Sequence, residues 1–230
     1  MAYHYCGTEK LNPDVPEPDA RHRILEAAVE LYGEYGFDTV TLKHIAQHAA
    51  VSAPLVIHHF GSSAGLRQAC DRYVAEQHRK TKTEAVHMSG PMPRNYALEI
   101  FQAHRHLLKY FLRAFAAGGP EMDALFDKLV DDSLEYTAEA EALGLVYPSA
   151  EPRRRAVIML LQAFGSLILH RQMKRHLGAS PVDDSPESIA PYMEAVLELY
   201  TQPVLNAEMY EELMHSQNQH TQHHTEGTSS

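Results

Sequence analysis

The sequence predicts an all-α fold, and three observations carry that expectation. Apolar residues recur three and four apart along most of the 230-residue chain, the period of a helix with one buried face. No stretch alternates persuasively between apolar and polar residues as a half-buried strand would. Residues Thr41 to Phe60, TLKHIAQHAAVSAPLVIHHF, read as two short helices joined by a tight turn. The expected architecture is an N-terminal three-helix unit followed by a larger helical domain.

The elements follow in order. Residues 1–18 hold Pro13, Pro16 and Pro18 among acids and read as a flexible arm. Asp19 suits an N-cap, and Ile24, Leu25, Ala28, Leu31 and Tyr32 form the apolar stripe of a first helix. Gly33 and Gly36 are expected to mark its fraying end. Thr41 can cap the second helix, with Leu42, Ile45, Ala46 and Ala49 at helical spacing. Ala50-Val51 makes the turn, Ser52 caps the third helix, and Pro54 sits in its first turn, where a missing N–H costs nothing. Leu55 and Val56 face inward and Phe60 closes the unit. Ser62 opens a fourth helix through Leu66, Ala69, Cys70, Tyr73 and Val74 to about Thr83, long enough to leave the first domain and enter the second.

After the break SGPMP, helices are expected over Tyr96–Ala117, Glu121–Ala142, Arg153–Leu177 and Ser185–Val204. Gly118-Gly119-Pro120, Gly144 with Pro148 and Pro152, and the polar SPVDDSPES segment separate them. The third of these helices is apolar nearly all round in its middle, as burial on more than one side requires. The tail from His215, HSQNQHTQHHTEGTSS, is low-complexity and expected to be disordered. The expected division is therefore 1–18, 19–65, 66–205, and 206–230, the last a short helix and His-rich tail.

Residues 41–60 match the helix-turn-helix pattern, whose second helix enters the DNA major groove. With their flanks, ILEAAVELYGEYGFDTVTLKHIAQHAAVS and HHFGSSAGL, they resemble the N-terminal domain of TetR-family transcriptional regulators over some 45 residues, about a fifth of the chain. The resemblance implies an operator-binding homodimer, often a repressor released by a small molecule. It also implies a C-terminal domain for ligand binding and dimerisation, with the last two long helices forming a four-helix bundle with a second copy. Three positions depart from the family pattern. Ala50 stands where many members have Gly, at a cost of roughly 1 kcal/mol if φ is positive. Ile57 replaces a Tyr whose hydroxyl touches phosphate, and Ser63 replaces a Lys.

Charge argues the other way. The chain carries a net charge of −10, and from Asp19 to Ser63 three cations, Arg21, Arg23 and Lys43, face five acids. A DNA-binding domain is ordinarily basic. Position outweighs the sum here, because all five acids precede the helix-turn-helix and most of them are on the first helix. Five histidines (His22, His44, His48, His58 and His59) can add charge near phosphates.

Two other classes compete. An enzyme would carry a signature such as GxSxG, HExxH, a P-loop, GxGxxG or Cys-His metal spacing, and none is present; no cofactor and no metal set is expected. A helical ligand-binding or protein-interaction module without operator binding is the remaining alternative. Cys6 and Cys70 are the only cysteines and form no CxxC, which fits a reducing cytosol. The first 30 residues lack the apolar run of a signal peptide. The apolar stretch from Ala156 to Leu169 is too short for a bilayer span, so a cytoplasmic protein is expected.

The candidate DNA contacts are Thr41, Lys43, Ser52, Ala53, Pro54, Leu55, His58 and His59. Of these, His59 is favoured as core or support and His58 and Lys43 as direct contacts. The candidate ligand lining is Phe101, His104, Tyr110, Phe111, Phe126, Met159 and Met173, although Met and aromatic stripes are more often plain core. Such a set suits an apolar or aromatic ligand, since no Arg is evident to hold a carboxylate. The candidate dimer surface is Leu161, Gly165, Ser166, Leu167, Ile168, Val196 and Tyr200, with intrachain core as its plain alternative. His215, His220, His223 and His224 read as a solvated tail before they read as a metal site.

Overall fold

The computed structural model describes residues 19–88, 103–202, 204, 208 and 210. Among these residues there are helices and turns and no strand. The helices are α1 (Ala20–Tyr35), α2 (Leu42–His48), α3 (Ala53–Phe60), α4 (Ser63–Val86), α5 (Arg105–Ala117), α6 (Gly119–Ala142), α7 (Pro152–Ile168), α8 (His170–Leu177) and α9 (Ala190–Thr201), the last preceded by a 3₁₀ turn, Pro186–Ile189. The arm, Phe101 and the His-rich tail lie outside the described residues.

Capping chemistry sets the N-terminal boundaries. The Asp19 carboxylate accepts from the His22 N–H at 2.7 Å, the Thr41 hydroxyl from His44, the Ser52 hydroxyl from Leu55 and the Ser62 hydroxyl from Gly65. Each satisfies one of the donors that a helix start leaves unpaired. Ile24, Ala28, Val29, Ile45, Val56 and Leu66 are buried together and hold α1 to α4 as one unit.

The unit is not a separate bead. Gly33, expected at a fraying end, is buried inside α1, and a Cβ there would sit 3.1 Å from the Tyr110 backbone nitrogen and from Lys109 Cβ. The missing side chain is what lets α5 cross α1 closely. Arg113 donates to the Gly33 carbonyl at 3.2 Å and the Glu34 carbonyl at 2.9 Å, cations being favoured where a helix ends in unpaired carbonyls. Lys109 pairs with Glu34 across the same crossing.

Helix α6 lies along α4, and α7 along α6. The single helix expected over Arg153–Leu177 is two helices bent by 77° at Leu169. The bend follows from the segment after α8, which was expected as a polar loop. Ala179, Ser180 and Val182 are buried. His170 meets Ser180 at 3.1 Å, and Lys174 binds Asp184 at 2.8 Å, so α8 turns aside to cover this segment. The Asp184 carbonyl accepts from Arg105. Ser185 does not cap a long helix: its hydroxyl pairs with that of Ser188 at 3.0 Å at the start of the 3₁₀ turn.

Candidate DNA-reading interface and regulatory core

The turn between α2 and α3 is built on Ala50, whose φ is +54°. Val51 plugs the angle, half-buried, and its N–H reaches the Ala46 carbonyl at 2.9 Å. The glycine-like conformation is thus retained with an alanine in it. On α3 only Val56 is buried. Ser52, Pro54, Ile57, His58 and His59 are exposed, with Ala53 and Leu55 half-buried. His59, favoured as core or support, is exposed, its ring 6.1 Å from Phe60 and 5.5 Å from His58. The short α3 has one inward turn to spare, and Val56 uses it. On α2, Lys43, His44 and Gln47 are exposed; His48 is tied back to Glu30 at 3.1 Å.

Behind this face sits a buried polar node that sequence reasoning missed. Tyr110 on α5 donates to Asp71 on α4 at 2.7 Å, and Arg67, one turn earlier, reaches the same oxygen at 3.3 Å. The Arg67 guanidinium lies 3.2 Å over the Phe37 ring, which packs edge-on to Tyr110 at 5.5 Å. Burial pushes the Asp71 carboxyl above the usual range, against the opposite pull of the Tyr110 hydroxyl and the Arg67 charge. The opposite charges at i and i+4, Arg67 and Asp71, were the available signal; that α5 supplies the third member was not legible. Tyr110, expected among the ligand lining, is thus bonded to α4 and packed against Phe37.

The remaining candidate lining residues separate. Phe111 is buried and joins Phe115 and Phe164 in a ring cluster with centroids 4.9 to 6.3 Å apart. His78 on α4, absent from the candidate list, packs against Phe111 and Phe164. Phe126 is half-buried and packs on the core. Met173 is buried on α8, and His104, at the start of α5, reaches the Thr81 hydroxyl at 3.5 Å. Met159 is exposed beside Ile158 and Leu161 on the outer face of α7.

That outer face is a continuous stripe. Ile158, Leu161, Gly165 and Ile168 fall at i, i+3, i+7 and i+10, and the three large side chains are each more than half exposed. Leu167 turns inward instead, 3% exposed, and Ser166 is half-buried. On α9, Met193, Leu197 and Tyr200 form a second exposed stripe, with Val196 half-buried beside it. Tyr200 donates to Gln162 of α7 at 2.7 Å, a link between α9 and the outer face of α7.

Two family models match the chain: the bacterial regulatory proteins of the tetR family over residues 24–70, and the tetracyclin repressor-like C-terminal domain over residues 102–206. The HTH-type transcriptional regulatory protein RaaS of Mycobacterium tuberculosis is 38% identical over 196 residues, 84% of this chain and 90% of that protein. The chain belongs to the TetR family. Solved structures agree at the level of fold. A TetR-family transcriptional regulator from Rhodococcus sp. superposes with a TM-score of 0.58 at 17% identity, covering 80% of this chain and 98% of its own. SmeT, the repressor of the Stenotrophomonas maltophilia multidrug efflux pump SmeDEF, superposes at 0.52 with 18% identity, covering 81% and 93%. As a member, this TetR-family protein is a sequence-specific DNA-binding transcriptional regulator that acts on operator DNA as a homodimer and answers to a small-molecule effector. No single helix among the described residues is long and apolar enough to cross a membrane.

Proposed function

We propose that this TetR-family regulator is a cytoplasmic, non-catalytic repressor that leaves its operator when a small apolar or aromatic molecule binds the regulatory core. The observation that supports the reading most is the exposure of α3: Val56 is buried and Ala53, Leu55 and Phe60 are half-buried, while Ser52 at its cap and Pro54, Ile57, His58 and His59 are exposed. Ser52, Ala53, Pro54 and Leu55 at its N-terminal half meet base edges and phosphates, a hydroxyl and small apolar groups being suited to phosphates and thymine methyls. Thr41 and Lys43 hold the backbone and fix register, and His58 and His59 add contacts further along. The proposed division is an arm over 1–18, the reading domain over 19–65, the ligand-binding and dimerisation domain over 66–205, and a tail over 206–230.

One α3 covers too few base pairs to specify a site, so two copies are needed at half-sites one helical turn (~34–36 Å) or more apart. The stripes on α7 and α9 are the surface proposed for that dimer, with Leu161, Gly165, Ile168, Val196 and Tyr200 at its centre and Ser166 and Leu167 behind them. Release follows if the effector, held near Phe111, Phe126, Met173 and His104, moves α4 and α5. Both helices grip the reading unit, α4 by continuity and α5 through Gly33, Arg113 and Tyr110. The test is a mobility shift with the DNA upstream of the protein's own gene at stated salt. A specific, competitor-resistant complex is expected, and its absence at micromolar protein would leave a helical module without operator binding.

A further inference from the structure

Helix α4 carries one buried polar atom without a partner, His78 Nδ1, and an exposed cation one turn further on. His78 lies against the Phe111 and Phe164 rings at 6.1 and 6.0 Å, and its Nδ1 is buried with nothing to bond. A buried polar atom without a partner costs about 1–3 kcal/mol and calls for a reason. Lys82, one turn on at i+4, shares that face. Lys80, on another face, pairs with Glu84 at 3.9 Å, whereas among the described residues no carboxylate pairs with Lys82. Lys82 is exposed to solvent, and desolvation draws its pKa below the ordinary lysine value. Burial first, and the Lys82 charge second, lower the His78 pKa to about 3 and keep the imidazole neutral.

We infer that this face of α4 receives a hydrophobic carboxylate, its apolar body among Phe111, Phe115 and Phe164, its acid group between the Lys82 ammonium and a His78 N–H. The inference rests on the ligand-released reading above and names the effector's chemistry. One ammonium and one neutral imidazole donor match a single carboxylate in charge and in hydrogen bonds; a phosphate dianion would keep a charge and several acceptors unmatched. No Arg is evident to hold a carboxylate, and Lys82 supplies the cation instead. The three rings pack on one another, so binding parts them. Phe111 lies beside Tyr110 on α5, which gives the movement a route to Asp71 and the reading unit.

The probes are naphthoate and its uncharged isostere naphthamide, titrated calorimetrically into the full chain near neutral pH. Naphthoate is expected to bind about tenfold or more tightly than naphthamide, the worth of one charge-assisted contact. Lys82→Met, which keeps the aliphatic length, should abolish that preference without lowering the melting temperature, with Lys82→Gln as a second variant. His78→Phe should weaken naphthoate while raising the melting temperature, because it removes the orphaned nitrogen. Equal affinity for the two probes, a preference that survives Lys82→Met and Lys82→Gln, or no binding of either probe overturns the inference. The mobility shift without any probe separates this from the wider reading: operator binding with no naphthoate binding sinks only the ligand assignment, and failure to bind operator sinks the regulator's mode while calorimetry still decides the site.

Discussion

At Ala50 the backbone enters the left-handed region with φ +54°, where a Cβ costs roughly 1 kcal/mol. Ala50→Gly should therefore raise unfolding stability by up to about 1 kcal/mol in urea titrations, less what glycine's unfolded-state freedom takes back. Operator affinity should be unchanged, since the turn geometry is already present. Lys43 is exposed on α2 and suits a phosphate. Lys43→Ala should weaken every site alike and lower the slope of log affinity against log salt by about one, read from mobility shifts across a salt series. His78 adds a pH dependence. Its folded pKa is lowered from 6.5 to about 3 by burial first and the Lys82 charge second. A depressed pKa means the stabilising condition is present above the unfolded value and is lost as pH falls, because the unfolded chain takes up the proton first. Between pH 6 and 4 the wild type should lose about 1 kcal/mol more per pH unit than His78→Phe in chemical denaturation.

At the scale of elements, the crossing of α1 and α5 is the joint between the two halves. It depends on an absent side chain at Gly33 and on Arg113 closing the carbonyl end of α1. Gly33→Ala places a methyl against α5 backbone, which cannot swing aside as a side-chain tip would. A loss of about 1–3 kcal/mol is expected from overpacking, together with a weakened response of operator binding to effector. Undiminished stability and response in that variant would show that α5 is not a coupling element. The division of the long apolar segment into α7 and α8 has a similar local cause. Hydrophobicity all round its middle was read as burial on several sides of one straight helix, but part of that surface is the exposed stripe, and part turns at Leu169 to cover Ser180 and Val182.

The whole molecule is completed by a second copy. Leu161 and Ile168 are 54% and 55% exposed and Leu197 and Tyr200 are 62% and 55% exposed, far more apolar surface in one place than a solitary chain keeps. Gly165 lies among them, and a Cβ there would meet nothing within 4 Å in its own chain. A glycine inside a helix costs about 1 kcal/mol relative to alanine, and the proposed dimer surface supplies a reason for it, a close approach of backbones. Gly165→Leu and Leu161→Glu should each shift light-scattering mass from dimer to monomer while the helical circular dichroism is retained, and operator affinity should fall with the dimer. Coupling must also be reciprocal: an effector that weakens operator binding tenfold binds the operator complex about 1.4 kcal/mol less tightly than it binds free protein.

Local chemistry made much of this protein legible without coordinates. Asp19, Thr41, Ser52 and Ser62 cap the helices they were expected to cap, because a cap is a contract between a side chain and a backbone three residues away. The all-α class, the helix-turn-helix and the family followed from spacing and from motifs confined to short stretches. The candidate site residues were legible only as residue types at helical spacing, which says that a side chain faces one way but not what it meets. Tertiary structure alone decided that Tyr110 bonds Asp71, that Gly33 is a crossing point, that Met159 looks outward, and that His78 packs on the Phe111 and Phe164 rings with its Nδ1 unpartnered. Each of these depends on residues tens of positions apart, brought together by the way α4, α5 and α7 pack, and no local periodicity encodes which faces will meet.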